Sequence, residues 1–158
     1  MPDEPAPPDG PAGDERGEGG PRVLVVDDNP LFAQATASML AALGARPELA
    51  ADGFAALAAL ARAPFDLILL DWEMPRLDGR RTAFEIRRRF GPTPPIVVVS
   101  ALTARVRRVL GPASGVDDVL AKPFDSAELE ALLARWLPRP PRADIDVDPP
   151  PASPRRPR

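Results

Sequence analysis

Residues 66–71 read Asp-Leu-Ile-Leu-Leu-Asp, four aliphatic side chains closed at each end by a carboxylate. So short and continuous an apolar run lacks the alternation of a half-solvated strand and suits a parallel sheet covered on both faces. The pattern recurs at 22–27 (RVLVVD) and at 96–100 (IVVVS), the latter primed by Pro94-Pro95. Weaker strands are expected over 46–50 and 118–121. Helical segments separate them. Leu31, Ala35, Met39 and Ala42 mark the expected stripe of the first, which ends near Gly44. The second covers 54–62 behind Asp52 as its cap, the third runs over 80–90 and stops at Gly91-Pro92, and a basic fourth spans 103–110. In the last, Asp125 caps, Glu128 follows three residues on, and Leu129, Leu132, Leu133 and Trp136 form the stripe. Five strand–helix units imply right-handed crossovers and a doubly wound parallel α/β sheet.

The composition confines the chemistry. Of 158 residues, 23 are proline, and the two ends hold most of them. Residues 1–21 are rich in Pro, Gly and acids and are expected to be a disordered tail; residues 138–158, rich in Pro and Arg, are expected to be a second. The domain is expected over 22–137, and neither tail reads as an output domain. The chain has no cysteine and no histidine, which excludes thiolate and imidazole metal sites, cysteine nucleophiles and Ser-His-Asp catalysis. The net charge is −3 and the core is balanced, so a dedicated nucleic-acid surface is not expected. No apolar run approaches the roughly 20 residues that cross a bilayer, and no secretory signal is visible, so a cytoplasmic protein is expected. Nineteen of the 20 basic residues are arginine, and Lys122 is the single lysine, which suggests a site needing a compact ammonium.

Ligands of open parallel sheets bind outside the carboxyl ends of the strands. There the first strand ends in Asp27-Asp28, the third in Asp71, the fourth in Ser100-Ala101, and the fifth runs into Lys122-Pro123. Each has a plain structural reading when taken alone: a capped turn for Asp27-Asp28-Asn29-Pro30, a turn at Asp71, a helix cap at Ser100, a loop at Lys122. Jointly they place three carboxylates, a hydroxyl and an ammonium at one end of a sheet. Three carboxylates in one pocket repel unless a cation sits among them. Without His or Cys the fitting ion is hard and oxygen-loving, Mg²⁺ or Mn²⁺. Such a set suits phosphoryl transfer, with an aspartate able to act as the nucleophile. The chain has neither G-x-x-x-x-G-K nor G-x-G-x-x-G, so a nucleotide donor bound by this chain is not expected.

The segments VLVVDDNP, FDLILLDWEMPRLDG, PIVVVSA and GVDDVLAKPF, in this order, resemble the receiver domain of two-component response regulators, of the stand-alone or hybrid-kinase-associated type. The resemblance implies a flavodoxin-like (CheY-like) three-layer sandwich with strand order 2-1-3-4-5. It implies that Asp71 accepts a phosphoryl group from a histidine kinase or phosphotransfer protein. Asp28 would bind Mg²⁺ directly, Asp27 through water, and the backbone carbonyl of Glu73 would complete the protein ligands together with Asp71. Ser100 and Lys122 would contact phosphoryl oxygens, Ala101 would leave room for the donor, and the Lys122–Pro123 peptide would be cis. The chain would act as a single-domain regulator through phosphorylation-dependent partner binding, catalysing only its own phosphorylation and dephosphorylation. The rival readings are an unphosphorylated pseudo-receiver, a phosphate sink for a shared kinase, and a Mg²⁺-dependent aspartyl phosphatase, for which a substrate cap is missing from the sequence.

Two positions depart from the family pattern. Val119 stands where an aromatic ring often swings with the hydroxyl. Glu73 adds a fourth carboxylate, either a solvent-facing loop acid or a residue that tunes the lifetime of the aspartyl phosphate. Arg105, Arg107 and Arg108, with Val119, outline an expected docking face for an acidic partner on the fourth helix and fifth strand.

Overall fold

The structure, a computed structural model, describes residues 19–137. Almost all of the two expected tails lies outside them. At the inner edge of the first, the carbonyls of Gly20 and Pro21 accept bonds from the Arg46 side chain and backbone N–H. The elements follow in strict alternation: β1 (Arg22–Val26), α1 (Pro30–Ala42), β2 (Arg46–Ala50), α2 (Gly53–Arg62), β3 (Leu67–Asp71), α3 (Gly79–Phe90), β4 (Ile96–Ser100), α4 (Thr103–Val109), β5 (Asp118–Ala121) and α5 (Ser126–Trp136). A 3₁₀ turn, Pro112–Ser114, precedes β5. All neighbouring strands pair in parallel, in the order β2-β1-β3-β4-β5. Among the described residues no helix is long and apolar enough to cross a membrane.

Alternate strand residues face opposite layers, as the period of two requires. Val23, Val25, Leu67, Leu69, Val97 and Val99 meet Leu40 of α1 and Leu129, Leu132 and Leu133 of α5. Leu24, Val26, Ile68, Leu70 and Ile96 meet Ala56, Leu57 and Ala59 of α2 and Ala83 and Ile86 of α3. Burying each such leucine or isoleucine stabilises by about 1.5–3 kcal/mol. Burial of both sheet faces explains why the strand sequences show no polar alternation.

The face of α1 differs from expectation. Leu31 is 81% exposed, and Ala35 and Ala42 are also exposed; the buried stripe is Ala33, Thr36 and Leu40, with Phe32, Met39 and Leu43 partly covered. The helix is rich in alanine and its apolar residues surround the axis, so local periodicity leaves its rotation undetermined. The caps expected at Asp52 and Asp125 and in the Asn29-Pro30 turn are present, and Asp78 adds one for α3. All four side chains accept from first-turn N–H groups, and Asp125 with Glu128 completes a capping box. Gly79 opens α3 against the end of β3, where a Cβ would stand 2.7 Å from the Asp71 carbonyl oxygen and from the Trp72 Cα. No side chain fits that approach, so Gly79 sets how closely α3 starts behind Asp71.

Candidate functional site

Strand register brings the site together. Val26 pairs with Leu70, so the aspartates that follow them, Asp27 and Asp71, leave the sheet side by side. On the other side of β3, Asp71 pairs with Val99, and Ser100 pairs with Ala121, one residue before Lys122. The hydrogen bond from the Lys122 N–H to the Ser100 carbonyl, 3.0 Å, extends that ladder. The five sequence-designated residues therefore converge where the strand order reverses from β1 to β3, the position at which open α/β sheets bind ligands.

Oxygens of Asp27, Asp28 and Asp71 lie within 4.8 Å of one another. Asp27 and Asp71 are 5% and 3% exposed, whereas Asp28 faces solvent. The Lys122 Nζ stands 3.6 Å from Asp27 Oδ2 and 3.6 Å from Asp71 Oδ1. One ammonium thus faces two buried carboxylates. Burial first, and the neighbouring Asp27 charge second, push the Asp71 carboxyl up to about 7; Lys122 and the bond from the Glu73 N–H oppose the shift. A cluster so short of positive charge suits a divalent cation. Its all-oxygen donor set selects a hard one, and the partly open side at Asp28 gives it a route in.

The second carboxylate at the loop is placed unexpectedly. The Ser100 hydroxyl, fully buried, donates to Glu73 Oε2 at 2.6 Å and accepts from the Leu102 N–H at 2.9 Å. Glu73 is an exposed residue, yet its carboxylate accepts from the buried Ser100 hydroxyl and so bridges the β3–α3 loop to the end of β4. Lys122–Pro123 is cis, as the resemblance implies, and Thr93–Pro94 is a second cis peptide that the sequence does not announce.

Sequence reasoning passed over Phe32. Its ring lies 4.4 Å beneath the Lys122 Nζ and meets Phe124 edge-on at 5.5 Å, so one aromatic holds the ammonium over the carboxylates. The shared helical spacing of Phe32 with Thr36 and Leu40 was the available signal. It also missed Arg76, which takes a positive φ of 59°, pairs with Asp52 at 3.2 Å and covers the Phe54 ring, tying the β3–α3 loop to α2. Val119 does not belong to an exposed face: it is 8% exposed and packs with Val98 and Val106 beside Trp72. A side chain on β5 covered by Val106 of α4 keeps little access to solvent. Arg105, Arg107 and Arg108 are exposed on α4.

Comparison with known proteins gives the same answer. The family model described as response regulator receiver domain matches residues 23–134. The chain belongs to the response regulator receiver family. It is 39% identical over 121 residues to the sensor histidine kinase GacS of Pseudomonas protegens, covering 73% of this chain and 13% of that protein. Among solved structures, the Vibrio cholerae chemotaxis protein CheY4 is 33% identical with a TM-score of 0.70, over 74% of this chain and 98% of that one. The receiver domain of the sensor histidine kinase PA1611 from Pseudomonas aeruginosa PAO1, solved with a magnesium ion coordinated in its active-site cleft, is 39% identical with a TM-score of 0.68, over 74% and 97% of the two chains. The chain spans half or less of the length of the full-length relatives it matches. It is thus a response regulator receiver domain, and its fold is the CheY-like sandwich.

Proposed function

We propose that Asp71 is the phosphoacceptor of this receiver. A carboxylate oxygen of Asp71 attacks the phosphorus of a phosphohistidine on the partner; the P–N bond breaks as the P–O bond forms, and the imidazole leaves with the electron pair and is protonated. The observation that carries this reading is the convergence of three carboxylate groups within 4.8 Å, with the one lysine 3.6 Å from two of them. Asp27, Asp28, Asp71 and the backbone carbonyl of Glu73 would hold Mg²⁺, or Mn²⁺ in its place. When bound, the cation supplies charge neutralisation on the transferring phosphoryl group. Lys122 orients one phosphoryl oxygen and Ser100 another. Ala101, exposed beside the site, leaves room for the donor. The receiver is not an enzyme toward external substrates: its chemistry is its own phosphorylation and the hydrolysis that ends it, and the reading carries with it a cytoplasmic place of action.

Incubation with a small acyl phosphate and Mg²⁺, followed by a phosphate-affinity gel, tests this. Wild type is expected to shift and Asp71→Asn to stay unmodified. An unshifted wild type would favour the pseudo-receiver reading.

Output is assigned to the exposed basic face of α4. Arg105, Arg107 and Arg108 stand there without an acid between them in sequence, complementary to an acidic partner. Joint reversal, Arg107→Glu with Arg108→Glu, is expected to leave beryllofluoride loading intact and to cut the affinity for a downstream partner by tenfold or more. Unchanged partner affinity by calorimetry refutes the face.

A further inference from the structure

We propose that Glu73 is a latch on Ser100, so that loading Asp71 requires the Glu73 carboxylate to release the hydroxyl. The inference rests on the reading of Asp71 as phosphoacceptor and assigns a positioning role to a side chain outside the carboxylate cluster.

A serine hydroxyl has one proton and can donate once. In Ser100 that proton is committed to Glu73 Oε2 at 2.6 Å, in the range of short, charge-assisted O–H···O⁻ bonds. An acceptor site of the same oxygen is committed to the Leu102 N–H. A phosphoryl group on Asp71 brings three acceptor oxygens and a charge of about −1.5 to −2 into this space. It needs a donor, and Ser100 can serve only by giving up Glu73. One hydroxyl proton cannot make two well-aligned, full-strength hydrogen bonds at once, and Coulomb repulsion between the two anions adds to the competition. Glu73 can leave at low cost because it sits on an exposed loop, while Ser100, fully buried on β4, cannot follow it.

Release also reaches further than the site. The hydroxyl that Glu73 holds is bonded to the residue that opens α4, and α4 is loosely tied: Leu102 offers no side-chain cap, and Val106 is its one buried residue. Reorienting Ser100 therefore alters the first turn of the helix that carries Arg105, Arg107 and Arg108. No swinging ring is needed at Val119 for the site and the basic face to be joined.

Beryllofluoride with saturating Mg²⁺, titrated into the full chain and followed by Trp72 fluorescence, tests the latch without phosphotransfer. Glu73→Ala is expected to tighten binding about tenfold, and Glu73→Gln, which keeps an acceptor but loses the charge, by less. In a Ser100→Ala background the gain from Glu73→Ala is expected to shrink to two- or threefold, the part owed to repulsion alone. An equal gain in both backgrounds overturns the latch, as does a Glu73→Ala protein that binds like wild type. A folded wild type that shows no Mg²⁺-dependent response at all removes the reading of Asp71 and the latch with it, so the two failures are distinguishable.

Discussion

In metal-free buffer, Asp71→Asn is expected to be more stable than wild type at pH 8 and equal to it near pH 4. The Asp71 carboxyl is 3% exposed and pushed up to about 7, first by burial and then by the Asp27 charge, against a usual value of 3.8. A group that holds its proton more tightly when folded adds stability that is complete below the unfolded value and is lost as pH rises through the folded one. The window is therefore from about pH 4 to pH 7. Above it the folded chain holds a buried ionised carboxylate that the unfolded chain keeps in water. At 1.36 kcal/mol for each pH unit of difference, the shift sets an upper limit of about 4 kcal/mol, and half of that is a reasonable expectation with Lys122 nearby. Asparagine has nothing to ionise, so its stability advantage grows across the window. Urea melts from pH 4 to pH 8 in chelator give the difference directly; parallel curves for the two proteins would contradict the assignment. Added Mg²⁺ is expected to stabilise wild type at pH 8 and the variant much less, since an ion that binds only the folded state stabilises by mass action.

Lys122→Ala is expected to produce the opposite sign at the same place. Lys122 stands within 3.6 Å of both buried carboxylates, and its side chain is 20% exposed. Removing one partner of a buried ion pair leaves charge without compensation, which costs about 3 kcal/mol or more. Melts of Lys122→Ala in chelator at pH 8 should show a loss of that order, and millimolar Mg²⁺ should recover part of it. Lys122→Arg is not expected to restore wild-type stability. The planar guanidinium is broader than an ammonium, and the space between the Phe32 ring, Asp27 and Asp71 is shaped around a point charge. Full stability in Lys122→Ala without metal would mean that the two carboxylates are not held together by this cation.

Much of this was legible from local sequence. The strands at 22–27, 66–71 and 96–100 were visible because burial on both faces removes polar alternation over five or six residues. The last helix was visible because Asp125 and Glu128 satisfy its first N–H groups within one turn. The site residues were visible because parallel strands must all end on the same side, which makes the residue after each strand a candidate whatever the packing. The rotation of α1 was not. Its alanine-rich surface offers nearly equal stripes, and only contact with α5 and the sheet selects Ala33, Thr36 and Leu40 over Leu31 and Ala35.

Sequence alone thus determined the fold class, the order of the elements and the identity of the carboxylates, the hydroxyl and the lysine, because these depend on patterns a few residues long and on the geometry common to every parallel sheet. Only the tertiary structure decided that Glu73 accepts the hydrogen bond of the Ser100 hydroxyl, 27 residues away, that Phe32 lies under Lys122, and that Val119 is covered by α4. Those facts turn on which side chains from separate loops and helices compete for the same few ångströms, and no periodicity along the chain encodes that competition.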